Sequence, residues 1–116
     1  MVLGAPDPQA LSTFYARLLG WTVVESQAVW AMVRPPSEGT GVSFQHEPDY
    51  VPPVWPTAPG EQQMTSHLDI AVEDLKAGMA WALDVGARLA DHQPQAHVRV
   101  MLDPAGHPFC LFPGRV

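Results

Sequence analysis

The stretch Asp7-Pro8-Gln9-Ala10-Leu11-Ser12-Thr13-Phe14-Tyr15-Ala16-Arg17-Leu18-Leu19-Gly20-Trp21 decides how the rest of the chain is parsed. Asp7 ahead of Pro8 is a helix start: the carboxylate can accept from free N–H groups of the first turn, and proline is tolerated where no donor is needed. Leu11, Phe14, Tyr15, Leu18 and Leu19 form one apolar stripe at helical spacing, and Gly20 supplies the left-handed stop. Upstream there is room only for an abbreviated strand, Val2-Leu3-Gly4-Ala5. Downstream, Trp21–Glu25, Val29–Arg34 and Val42–Gln45 read as strands, separated by turns that include Pro35-Pro36, Gly39 and Gly41.

The second half runs in the same order. Ser66–Val72 reads as a strand, and Glu73-Asp74 can cap and charge a helix carrying Leu75, Met79, Ala82 and Leu83. Gly78 inside that helix costs about 1 kcal/mol relative to alanine. Gly86 closes it, and Ala87–Leu89, Val98–Leu102 and Pro108–Phe112 follow as strands, with Asp103-Pro104-Ala105-Gly106 as a turn. The junctions match in kind: Leu18-Leu19-Gly20-Trp21 with Asp84-Val85-Gly86-Ala87, and Met32-Val33-Arg34-Pro35 with Met101-Leu102-Asp103-Pro104. The predicted fold class is α+β, two βαβββ modules within one 116-residue domain, over about 1–47 and 62–116. Between them lies a proline-rich connection, 48–61, holding Pro48, Pro52, Pro53, Pro56 and Pro59 around Tyr50 and Trp55. Each proline removes a donor and fixes φ, so this segment is neither helix nor central strand.

Composition excludes several classes of function. Six basic residues against twelve acidic ones give a formal charge of −6, which argues against a nucleic-acid partner. No apolar run approaches the roughly 18–20 residues of a membrane span, and the first residues carry no secretory signal pattern. A lone cysteine, Cys110, cannot form an internal disulfide and fits a reducing cytoplasm.

Three strings taken together resemble the vicinal oxygen chelate superfamily, the glyoxalase/bleomycin-resistance/extradiol-dioxygenase group. They are Asp7-Pro8 with Phe14-Tyr15 and Leu18-Leu19-Gly20-Trp21; His67-Leu68-Asp69-Ile70-Ala71-Val72-Glu73-Asp74; and Asp103-Pro104-Ala105-Gly106-His107-Pro108-Phe109-Cys110-Leu111. The match is most like the glyoxalase-like branch common in high-GC bacteria and covers essentially the whole chain. The resemblance implies curved sheets around a cup with the helices outside.

Strand periodicity assigns faces independently of the family. Leu68, Ile70 and Val72 share one face, and His67, Asp69 and Ala71 the other. Taking Arg99 and Met101 as the counterparts of Trp30 and Met32, the expected ligand-binding residues are Trp30, Met32, His67, Asp69, Arg99 and Met101, with Trp55 as a lid on the proline-rich segment. The alternative is a structural Asp69–Arg99 pair with Trp30 and Met32 filling a closed core. His67 and Cys110 are the weak candidates for catalysis, since a Cys/His pair can generate a thiolate; a small buried hydrophobe is the other reading of Cys110. His92 and His97 are two histidines without a third ligand.

The resemblance also implies a divalent metal, and His67 falls at the histidine position. The acid positions hold Cys110 and Ser43, or Gln45 with a shift of two, and the first-strand ligand would lie near Met1. His67 is the only family ligand retained, so no metal and no other cofactor is expected, with a divalent metal as the alternative. Two hypotheses follow: a small-molecule-binding protein of the bleomycin-resistance type, or a metal-dependent lyase, isomerase or dioxygenase relative. A metal-free enzyme with His67 as general base ranks below both. Open strand edges predict a homodimer.

Overall fold

In the computed structural model, which describes residues 1–114, Asp7 caps the first helix as its sequence requires. Its Oδ1 accepts from the Ala10 N–H at 3.1 Å, Pro8 opens α1 (Pro8–Leu19), and Gly20 ends it at φ 70°. The chain forms two units, Met1–Tyr50 and Val51–Val116, and each carries one four-stranded sheet and one helix.

In the first unit, β1 (Val2–Ala5), β2 (Thr22–Ser26), β3 (Trp30–Arg34) and β4 (Val42–His46) are ordered β1-β4-β3-β2. The first strand is not abbreviated relative to its partner: Val2 through Ala5 pair in parallel with Ser43 through His46, and the Met1 carbonyl accepts from the Ser43 N–H. Leu3, Ala5, Ala31, Val33, Val42 and Phe44 are buried together with Leu11, Phe14 and Tyr15 of α1. The Tyr15 and Phe44 rings stack with centroids 5.6 Å apart, which fixes this as the helix-bearing face. Trp30, Met32, Ser43 and Gln45, paired across β3 and β4, occupy the opposite face.

The second unit repeats the plan. Strands β5 (Leu68–Val72), β6 (Arg88–Leu89), β7 (Arg99–Leu102) and β8 (Pro108–Pro113) are ordered β5-β8-β7-β6, with α2 (Leu75–Asp84) between β5 and β6. Asp74, rather than Glu73, caps α2, accepting from the Ala77 N–H. Gly78 is explained by a close approach: a Cβ there would lie 3.0–3.2 Å from three side-chain atoms of Val72. The helix sits this near β5 because position 78 has no side chain.

The Asp103-Pro104-Ala105-Gly106 turn closes on its own carboxylate. Asp103 is fully buried; its Oδ1 accepts from the Ala105 and His107 N–H groups, and its Oδ2 lies 2.7 Å from His107 Nδ1. Gly106 sits at φ 90°, and a Cβ there would come within 2.9 Å of Pro52. This turn holds β7 against β8 and places Val100 opposite Cys110. The proline-rich segment from Val51 onward belongs with the second unit, where the Val54 N–H donates to the Gln62 carbonyl.

Candidate functional site

Three side chains converge because of strand register. β5 and β8 run parallel with Asp69 paired to Cys110, so these two side chains are neighbours on one face. His67 stands two residues before Asp69, just ahead of β5 rather than within it, and reaches the same side: its Nε2 lies 3.0 Å from Asp69 Oδ1. The ligating atoms of His67, Asp69 and Cys110 all lie within 4.8 Å of one another. They line an open depression of about 400 Å³ together with Gln95, Val98 and Phe112. The His67 and Asp69 side chains are 36% and 59% exposed, so the carboxylate retains outward lone pairs for a ligand. Burial, reinforced by the negative charge and hydrogen bonding of Asp69, pushes the Cys110 thiol above its ordinary range. In this setting the thiol is a hydrogen-bond donor to Asp69, not a ready nucleophile.

The structure corrects two of the expected site residues. Met101 pairs with Phe109, and Arg99 with Leu111, so both belong to the helix-bearing face; Met101 is fully buried there. The Arg99 guanidinium turns to the carbonyls of Gln95, Ala96 and Val98, so the alternative Asp69–Arg99 pair does not form. The error is one residue of register. Val100 stands opposite Cys110 as Met32 stands opposite Ser43, so the counterparts of Trp30 and Met32 are Val98 and Val100. A shift of one reverses every side chain on a strand.

Trp30 and Met32 lie on the helix-free face of their own sheet, as periodicity requires. Trp55 is absent from the lining of the depression: its indole N–H donates to the His92 carbonyl at 3.0 Å and its ring lies 5.8 Å from the His92 ring. Sequence reasoning missed Phe112, Val98 and Gln95. Phe112 follows from Cys110 by period two, and Val98 from the correct register, whereas Gln95 lies on a loop and carries no such signal. Nearby, the Gln93 side chain continues the ladder, accepting from the Val100 N–H and donating to the Ala90 and Val100 carbonyls, each at 2.8 Å.

Two βαβββ units, each with one helix on one face of its sheet, define the fold class, and likeness to known proteins makes the family specific. The model of the glyoxalase-like domain family matches residues 1–112, and the chain belongs to that family. No curated protein matches the chain. Among solved structures, a glyoxalase/bleomycin resistance protein/dioxygenase family enzyme from Burkholderia phytofirmans PsJN is 16% identical, with a TM-score of 0.68 over 96% of this chain and 93% of that one. A glyoxalase family protein from Enterococcus faecalis is 20% identical, with a TM-score of 0.67 over 97% and 93%. A bleomycin-binding protein complexed with bleomycin is 19% identical, with a TM-score of 0.65 over 98% and 95%. At these identities the likeness establishes the fold. Among the described residues, no helix is long and apolar enough to cross a membrane.

The donor set can be tested against the oxygen-rich divalent metal site that the family implies. Ser43 and Cys110 occupy equivalent places, each on the last strand of its sheet and opposite the first. One is a neutral hydroxyl and the other a thiol, where such a site needs carboxylates. The residues present do not fit that site.

Proposed function

We propose that this chain is a small-molecule-binding glyoxalase-like protein with a degenerate family metal site, its ligand held on the helix-free faces of the sheets. One observation carries the reading: His67, Asp69 and Cys110 meet at an open depression with Val98 and Phe112 as its apolar wall. That combination supplies apolar area for affinity and a few convergent polar groups for orientation. Asp69 accepts from a ligand N–H or O–H, His67 holds the carboxylate in place, and Phe112 offers a ring edge or face. The bleomycin-binding neighbour shows that this fold can hold a small molecule without its being the same molecule here. Trp30 and Met32 are proposed as further lining on the first sheet. We place the protein in the cytoplasm, because its single cysteine suits a reducing compartment, and expect a homodimer, because β2 and β6 end their sheets as open edges.

A thermal-shift screen of small molecules against wild type, Asp69→Asn and His67→Ala tests the reading. Hits that stabilise wild type and lose their effect in Asp69→Asn support it; hits indifferent to both substitutions refute it. A second reading, a metal-dependent lyase, isomerase or dioxygenase relative, draws on the convergence of three donor atoms within 4.8 Å. Elemental analysis of dialysed protein separates the two.

A further inference from the structure

Which groups around the depression donate hydrogen bonds and which accept them decides what can be held there. Building on the ligand-binding reading proposed above, we infer that the ligand is a compact organic cation: a protonated amine or amidine on an aromatic or aliphatic body. Asp69 takes its charged end, Val98 and Phe112 take its body, and carboxylates and phosphates are rejected.

The donors of the site are already spent. A carboxylate only accepts, so His67 Nε2, 3.0 Å from Asp69 Oδ1, is the protonated nitrogen of that contact. The Cys110 thiol, the register partner of Asp69, also donates to it, and burial together with the negative charge of Asp69 keeps that thiol in its neutral form. Two donors therefore converge on one carboxylate from the protein side. An ionised carboxylate has about four lone-pair sites, and the Asp69 side chain is 59% exposed, so acceptor capacity is left over for a ligand. Gln95 carries both kinds of group in its amide and does not alter this balance.

Charge points the same way. Among the described residues, neither lysine nor arginine lines the depression. Arg99, the basic residue of the neighbouring strand, pairs on the helix-bearing face and spends its guanidinium on the carbonyls of Gln95, Ala96 and Val98. An anionic ligand would meet a carboxylate with no guanidinium or ammonium to offset it, on a chain of formal charge −6. A cationic N–H donor instead forms a charge-assisted hydrogen bond, roughly twice as strong as a neutral one. The volume of about 400 Å³ lies at the small end of ligand sites, which suits one ring and a short chain.

The test uses the full chain and three probes of matched shape: phenethylamine, 2-phenylethanol and 3-phenylpropanoate. Each is titrated above the ordinary imidazole range of pH, and binding is read from the nuclear magnetic resonance shifts of the Val98 methyls and the Phe112 ring. Phenethylamine should bind at least about tenfold more tightly than 2-phenylethanol, and 3-phenylpropanoate should move neither residue. In Asp69→Asn, an exposed and nearly isosteric change, the amine should lose its advantage while 2-phenylethanol is held as before; an unchanged circular dichroism spectrum certifies the fold. Three results overturn the inference. The first is 2-phenylethanol or 3-phenylpropanoate binding at Val98 and Phe112 as tightly as the amine, which leaves the depression a site for another class of ligand. The second is an amine advantage that survives in Asp69→Asn. The third is no shift at either residue with any probe, which counts against the depression as a ligand site altogether.

Discussion

Replacing Asp103 by alanine should be among the most destabilising single changes in the second unit, although Asp103 touches no part of the candidate site. Its buried carboxylate satisfies the Ala105 and His107 N–H groups through Oδ1, at 2.9 and 3.0 Å, and meets His107 Nδ1 through Oδ2 at 2.7 Å. Stranding each part-buried donor costs about 1–2 kcal/mol, and the charge-assisted contact to His107 adds about the same. The total is about 3–6 kcal/mol, a large share of the roughly 5–15 kcal/mol that holds such chains folded. Asp103→Asn separates the contributions. The amide oxygen can still serve both backbone donors, while its NH₂ must replace Oδ2 and force His107 Nδ1 to accept; a loss of about 1–2 kcal/mol follows. Urea unfolding of both variants, with amide exchange read at Ala105 and His107, measures these differences. An Asp103→Ala loss below about 1 kcal/mol, or equal losses for both variants, would refute the reasoning.

Cys110 should react slowly with iodoacetamide near neutral pH, since its thiol is held above the ordinary range, and Asp69→Asn should accelerate alkylation because the negative charge is removed and the amide oxygen is a weaker acceptor. Unchanged kinetics in that variant would count against the Asp69–Cys110 contact. The same shift fixes a sign for stability: a group whose folded pKa is raised contributes fully below its unfolded pKa and is lost as pH rises through the folded one. Wild type should therefore lose stability relative to Cys110→Ser only on the alkaline side, by chemical denaturation at a series of pH values. Gly106→Ala should destabilise by more than about 1 kcal/mol, through its positive φ and the approach of Pro52, whereas in an open turn the cost would come from φ alone. Gly78→Ala should fail to give the gain of about 1 kcal/mol that helix propensity promises, because Val72 occupies the space; a melting temperature raised by several degrees would contradict that.

The elements that were legible in the sequence are those with local causes. Asp7, Gly20, the Leu11–Leu19 stripe and the Asp103–His107 turn each act within a few residues, so their reading needs no tertiary knowledge. The candidate site depends on non-local register, and there the reading divided. His67 and Asp69 were placed on one side by period two alone, but Cys110 joins them only through the parallel pairing of β5 with β8. Arg99 and Met101 fall on the other face from the one expected because similar exits, Met32-Val33-Arg34-Pro35 and Met101-Leu102-Asp103-Pro104, suggest an alignment one residue away from the true pairing. Resemblance of exits is a property of turns, and turns do not fix which residue faces which neighbour. Trp55 reads as a lid because it stands on the proline-rich segment; its partner His92 lies 37 residues away, beyond any local signal.

Ligand binding on the helix-free face of the second sheet is tested most directly by intermolecular nuclear Overhauser effects between a stabilising small molecule and the protein's methyl and aromatic protons. Val98 and Phe112 line the depression beside Asp69 and Cys110, while Met101 and Leu111 lie on the other face of the same sheet. Contacts to the Val98 methyls and the Phe112 ring, abolished by Asp69→Asn, are the predicted result. Contacts to Met101 and Leu111, or contacts that persist unchanged in Asp69→Asn, would contradict it.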